Sequence, residues 1–136
     1  MKTNPQKYIE QFQANDKFGQ IFKAKFVSIS ESECFYEYNF NTEHCNPNGI
    51  LHGGTLYGVM DSSQGALIHF TLEDTYRAAA TGTATIKYLA PVTEGTVKIR
   101  SYIKNHEGRK VFINSEAFDK DEKLVATLEE IWIKIL

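Results

Sequence analysis

The second half of the chain reads as four strands joined by connections too short to carry crossovers, and no other feature constrains the fold as strongly. Runs rich in β-branched and aromatic residues cover about Ala80–Leu89, Thr96–Asn105, Lys110–Phe118 and Leu124–Ile135. Pro91 ends the first, Glu94-Gly95 turns into the second, and Glu107-Gly108 and Asp119-Lys120-Asp121-Glu122 make hairpins to the third and fourth. A parallel pair needs a connection of a dozen or more residues, so the sheet must be antiparallel.

The first half supplies what that sheet packs against. Pro5 at a first helical position, with Tyr8, Ile9 and Phe12 at helical spacing, predicts a short helix over Asn4–Phe18 closed by Gly19. A strand from Ile21 to Ile29 and another over Cys34–Phe40 should form a hairpin through Ser30-Glu31-Ser32. Then Asn46-Pro47-Asn48-Gly49 clusters turn formers, and His52-Gly53-Gly54 opens one long helix, about Thr55–Phe70. Its apolar stripe, Leu56, Val59, Met60, Leu67 and Phe70, must be buried against the sheet. The class is α+β: one long helix on an antiparallel sheet of about five to six strands, with a short N-terminal helix. At 136 residues, and without repeats or a linker, the chain is expected to be a single domain over 1–136.

Charge and cysteine content narrow the function. The net charge of −2, from 15 basic and 17 acidic side chains interspersed along the chain, gives no basic stripe for nucleic acid. Cys34 and Cys45 are too few for a disulfide scaffold, and Met1 to Lys7 lead into no apolar signal core, so a cytoplasmic protein is expected. The most apolar stretch, Leu51–Phe70, is interrupted by Asp61, Ser62, Ser63 and Gln64, which argues against a membrane span.

Chemistry concentrates between Asn46 and Asp61. A helix start leaves backbone N–H groups without partners and carries partial positive charge, and glycine lets a ligand atom approach them closely. Gly53-Gly54 therefore reads as an oxyanion site. Asp61 lies seven positions after Gly54, two turns on and on the same face, roughly 10 Å away. A base must come within about 3 Å or one water of its target, so Asp61 is too far to serve its own chain's amide. A two-fold dimer, in which each helix face meets the other's site, removes the difficulty.

The string Asn46-Pro47-Asn48-Gly49-Ile50-Leu51-His52-Gly53-Gly54, with Asp61 in the following helix and Tyr88-Leu89-Ala90-Pro91-Val92 closing the next strand, resembles the PaaI-like branch of the hotdog-fold acyl-CoA thioesterases. The resemblance covers nearly the whole chain and implies hydrolysis of a small or medium acyl-CoA. It implies that Asp61 is the catalytic carboxylate, as general base or as nucleophile. The Gly53 N–H would hold the oxyanion, Asn46 would position water or the carbonyl, and His52 would orient the same pocket or cap the loop. Thr81, ten positions before Pro91, matches a family Ser or Thr that assists the water, with Thr83 as its neighbour on the same strand face. Gly54, Tyr57 and Met60 would line the substrate site. Lys104, Arg109 and Lys110, with Lys87 a lesser candidate, would meet the coenzyme A phosphates. Coenzyme A enters as part of the substrate, no other cofactor is expected, and the assembly implied is a homodimer or a dimer of dimers.

His44, Cys45, His52 and Cys34 lack the spacing of a metal set, so none is expected. Cys45 with His44 or His52 is a less economical nucleophile than Asp61, and Ser62 and Ser63 sit in no Gly-x-Ser-x-Gly elbow. Two other readings stay open: a non-catalytic acyl-CoA binding or sensing module, and an acyl-thioester dehydratase or hydratase.

Overall fold

The computed structural model describes residues 4–136. Helices α1 (Pro5–Asn15) and α2 (Lys17–Phe22) precede strands β1 (Lys25–Ile29) and β2 (Glu33–Asn39). A single 3-10 turn (Thr42–His44) leads to helix α3 (Gly53–Thr71), and β3 (Ala78–Tyr88), β4 (Thr96–Glu107), β5 (Lys110–Phe118) and β6 (Leu124–Ile135) complete the chain. The six strands form one antiparallel sheet in the order β1-β2-β4-β5-β6-β3. No described helix is long and apolar enough to cross a membrane.

The N-terminal expectation needs correction. Ile21 and Phe22 belong to α2, not to a strand, and β1 begins only at Lys25. The Asp16 carboxylate accepts the Gly19 N–H at 3.0 Å and so caps a new helix, which Lys23 ends in the left-handed conformation at φ 54°. Gly19 is required because a Cβ there would lie 2.3 Å from an Asp16 oxygen.

The stripe of α3 packs on the inner sheet residues Tyr36, Tyr38, Val97, Ile99, Ile113 and Leu128, all 2% exposed or less. A polar chain runs through this apolar layer. The Ser63 and Ser101 hydroxyls pair at 2.6 Å, as do those of Ser101 and Ser115, while Gln64 Nε2 donates to Ser115 at 2.8 Å. Trp132 Nε1 donates to Gln64 Oε1 at 3.0 Å. Each member finds a partner, as a buried hydroxyl or amide must, and the chain fixes the helix's register on the sheet.

β3 sits at the end of the sheet. One edge pairs with β6, and the other has no partner strand among the described residues. Thr81 to Thr85 are exposed. A long unpaired edge of this kind is a template for pairing with another chain.

Candidate active site

The loop before α3 is closed by Asn46. Its Oδ1 accepts the N–H groups of Asn48 at 2.9 Å and Ile50 at 3.2 Å, and Gly49 takes the φ of +76° that the turn demands. The loop's return is held by Leu51 N–H on Val92 O at 2.9 Å and by His52 N–H on His44 O at 2.9 Å. The Asn46 side-chain NH2 keeps no partner among the described residues and is the donor this loop offers outward.

His52 caps α3. Its backbone is extended (φ −60°, ψ 132°), and its Nδ1 accepts the Gly54 N–H at 2.8 Å, which places the neutral ring's proton on Nε2. Thr55 and Leu56 donate to His52 O at 3.0 and 3.2 Å. Of the helix's first-turn amides, the Gly53 N–H alone finds no acceptor among the described residues. The glycine pair therefore divides: Gly54's amide is committed to the cap, and Gly53's is free at the positive end of the helix. Tyr88 donates its hydroxyl to Gly53 O at 2.6 Å, and a Cβ on residue 53 would lie 2.9 Å from that ring and oxygen. Glycine here admits Tyr88. Around this amide lies an apolar groove of about 450 Å³ lined by Leu51, Gly53, Leu56, Tyr88, Pro91 and Val92.

Asp61 is half-buried on α3, and Thr81 Oγ1 donates to its Oδ1 at 3.1 Å. Gly53 and Asp61 are eight residues apart, about 12 Å along the axis, so one chain does not bring them together. Thr83 does not share a face with Thr81. A bulge at Gly82 sets Thr81 opposite inward-facing Trp132 and Thr83 opposite outward-facing Ile131, because one extra residue reverses the alternation. Met60, expected in the substrate pocket, is 0% exposed and belongs to the core.

Sequence reasoning missed Glu130. It faces inward from β6, is 1% exposed, and accepts the Tyr57 hydroxyl on Oε2 at 3.0 Å. Burial first, and then the neighbouring Asp61, raises its carboxyl to about 8. The Tyr57 hydroxyl is likewise pushed up, by burial and by both carboxyls, and remains a donor. The available signal was the alternation itself: Glu130 falls between Leu128 and Trp132 on β6's inward set.

Lys104, Arg109 and Lys110 are exposed at the β4–β5 hairpin end. Lys110 pairs with Ile133, and Ile133 with Ala80, so the hairpin adjoins the start of β3. Gly53 lies beside Tyr88 at the far end, about 25 Å away at strand rise. Lys87, also exposed, lies on β3 beside Tyr88. Cys45 Sγ contacts Asn41 O at 3.7 Å, and His44 Nδ1 is hydrogen-bonded to the Tyr38 hydroxyl. Among the described residues no three His, Cys, Asp or Glu side chains group as a metal site would require.

Comparison with known proteins places this geometry. The family model of the thioesterase superfamily matches residues 48–126. A protein of Saccharolobus solfataricus named "Putative esterase SSO1253" is 26% identical over 109 residues, 80% of this chain and 71% of that protein. The Escherichia coli PaaI protein, from the phenylacetic acid degradation operon, superposes with a TM-score of 0.87 at 17% identity, covering 96% of this chain and 93% of that one. Mouse thioesterase superfamily member 2 superposes at 0.84 with 21% identity over 100% of both chains. The fold is the hotdog fold.

Proposed function

Starting from the thioesterase superfamily, to which this chain belongs, we propose that the protein hydrolyses a small or medium acyl-CoA to the free acid and coenzyme A. The observation that carries this reading is the free Gly53 N–H at the N-terminus of α3, beside an apolar groove and on the same helix as the Asp61 carboxylate about two turns on.

The site is completed by a second copy. Two β3 edges paired antiparallel about a two-fold axis bring the Tyr88 end of one strand beside the Ala80 end of the other. Gly53 lies at the first end and Thr81 with Asp61 near the second, so each Gly53 amide meets the other copy's Asp61. The same pairing carries the other copy's Lys104, Arg109 and Lys110 toward that site, where they would take the coenzyme A phosphates.

The thioester carbonyl oxygen accepts the Gly53 N–H, with the Asn46 NH2 of the same loop available as a second donor to the carbonyl or the water. Asp61, oriented by Thr81, takes a proton from water as the water oxygen bonds to the carbonyl carbon. The tetrahedral oxyanion is held by the amide and the helix dipole. On collapse the C–S bond breaks, and the departing sulfur takes the proton that Asp61 accepted. The groove's 450 Å³ of apolar space suits a small or medium acyl group.

The test is thiol release from acyl-CoAs ranging from acetyl to palmitoyl and including phenylacetyl, with Asp61→Asn in parallel. Turnover that Asp61→Asn lowers by about 100-fold or more, with the fold retained, is expected. Wild-type turnover in that variant would overturn the assignment. Acyl-CoA retained unhydrolysed by the wild type would make the protein a binding module.

A further inference from the structure

One helical turn before Asp61 and on the same face of α3, Tyr57 reaches a second acidic side chain that the proposed hydrolysis leaves unused. Glu130 is 1% exposed. Its Oε2 accepts the Tyr57 hydroxyl at 3.0 Å, while its Oε1 is buried without a partner. No ion pair among the described residues involves it. The inward lysine of the same strand, Lys134, is committed to Glu73 at 3.0 Å.

Among the described residues, every group that faces the buried Glu130 carboxyl is neutral or acidic; Lys104 shares a pocket with Glu130 but lines it together with the outward-facing Thr83, Glu129 and Ile131. Helix α3 contributes Tyr57 and Asp61, with Gln64 turned to Trp132 and Ser115; β3 contributes Ala84 directly opposite, and β5 contributes Ile113. Trp132 is the neighbouring donor on β6 itself. Two ionised carboxylates here would repel without a cation between them, and the second charge would be buried with no partner to compensate it. One proton on the pair resolves both problems. Glu130 is the fully buried member of the pair, so the proton settles on it, while the half-exposed Asp61 receives the Thr81 hydroxyl.

Resting on the proposed role of Asp61, we propose that a neutral Glu130 is its positioning residue: the proton sits on the unpartnered Oε1, which turns to donate to the Asp61 carboxylate as the site takes up water and so aims the remaining lone pairs at it. The upward shift of the Glu130 carboxyl has the same physical cause, burial beside Asp61. Loss of that proton turns the donor into a second acceptor and removes the alignment. The enzyme therefore carries a built-in alkaline limit.

The experiment is kcat and KM against pH for wild type, Glu130→Gln and Glu130→Leu with a hydrolysed acyl-CoA. In the wild type kcat falls about tenfold per pH unit above the ionisation of Glu130. Glu130→Gln, which keeps a donor but cannot ionise, stays within about threefold of wild type at pH 7 and loses the alkaline limb. Glu130→Leu loses tenfold or more in kcat with KM within about threefold. A Glu130→Gln profile that superimposes on wild type at alkaline pH overturns the proposal, as does a fully active Glu130→Leu.

A readout without substrate separates this inference from the hydrolysis itself. Carbon NMR of carboxyl-labelled glutamate should show one protonated glutamate at pH 7 in the wild type and none in Glu130→Gln. All glutamates ionised at pH 7 would overturn the inference even if Asp61→Asn is inactive. A protonated Glu130 with an active Asp61→Asn would instead overturn the hydrolytic assignment.

Discussion

Replacing His52 separates capping from catalysis. The imidazole Nδ1 accepts the Gly54 N–H at 2.8 Å, so His52→Ala leaves two first-turn amides unsatisfied where the native helix leaves one. Loss of an N-cap side chain costs about 1 kcal/mol. For a chain of 136 residues this lowers the thermal midpoint by roughly 3–5 °C, read by circular dichroism at fixed protein concentration. His52→Asn supplies a cap oxygen at the same position and should recover most of that loss. If the ring's work is to cap, the kcat of His52→Asn stays within about threefold of wild type. The reasoning fails if His52→Ala melts with the wild type. It fails equally if His52→Asn recovers the midpoint and still loses about 100-fold in kcat, since that would place the imidazole in the chemistry.

Thr81 donates to Asp61 at 3.1 Å, and a hydrogen bond to a charged group is worth about 1.5–3 kcal/mol. Thr81→Val should therefore lower kcat/KM roughly 10- to 100-fold while Thr81→Ser remains near wild type, and equal kinetics in the two variants would remove the hydroxyl from the account. Gly58 lies under the Phe18 ring, where a Cβ would come within 2.2 Å of the ring edge. Gly58→Ala forces this exposed ring to swing aside and is expected to destabilise by up to about 1 kcal/mol in urea unfolding. Adding Phe18→Ala should relieve that clash, leaving the helix-propensity gain of alanine visible as a positive coupling. Additive losses in the double variant would show that the two residues do not meet. The Glu130–Asp61 carboxyl pair also predicts a stability profile. Because the folded carboxyl of Glu130 is raised to about 8, stability should fall as pH rises from about 5 through 8, and Glu130→Gln should abolish that slope.

The hairpins of β4, β5 and β6 were legible because each turn carries its own chemistry. Gly108 adopts φ 62°, and Asp119 Oδ1 accepts the N–H groups of Asp121 at 2.9 Å and Lys123 at 3.0 Å. The long helix was legible from its stripe and from the glycines at its start. What escaped depends on long-range pairing. Gly82 reads as an ordinary weak strand residue until the register against β6 shows it to be a bulge, and only then does Thr83 turn outward. Met60 and Tyr57 are indistinguishable by spacing, yet one is 0% exposed in the core and the other reaches Glu130. Local periodicity misread Ile21 and Phe22 because the cap at Asp16 that restarts the helix depends on a side-chain contact. The division of labour between the Gly53 and Gly54 amides was hidden for the same reason, since it follows from the rotamer of His52.

The claim most open to direct attack is that each site joins Gly53 of one copy to Asp61 of the other. Gly53→Pro deletes the amide donor at the first helical position, where His52 is already extended at ψ 132°, and is made together with Tyr88→Leu to clear the ring that a Cβ at residue 53 would meet at 2.9 Å. Alone, this Gly53→Pro variant and Asp61→Asn should each lower turnover by about 100-fold or more. Differently tagged copies carrying one change each, co-expressed and purified through both tags, give a heterodimer in which one site holds both defects and the other holds neither. That heterodimer should keep about half the wild-type activity. Activity no higher than that of the single variants would place Gly53 and Asp61 of one chain in the same site and contradict the claim.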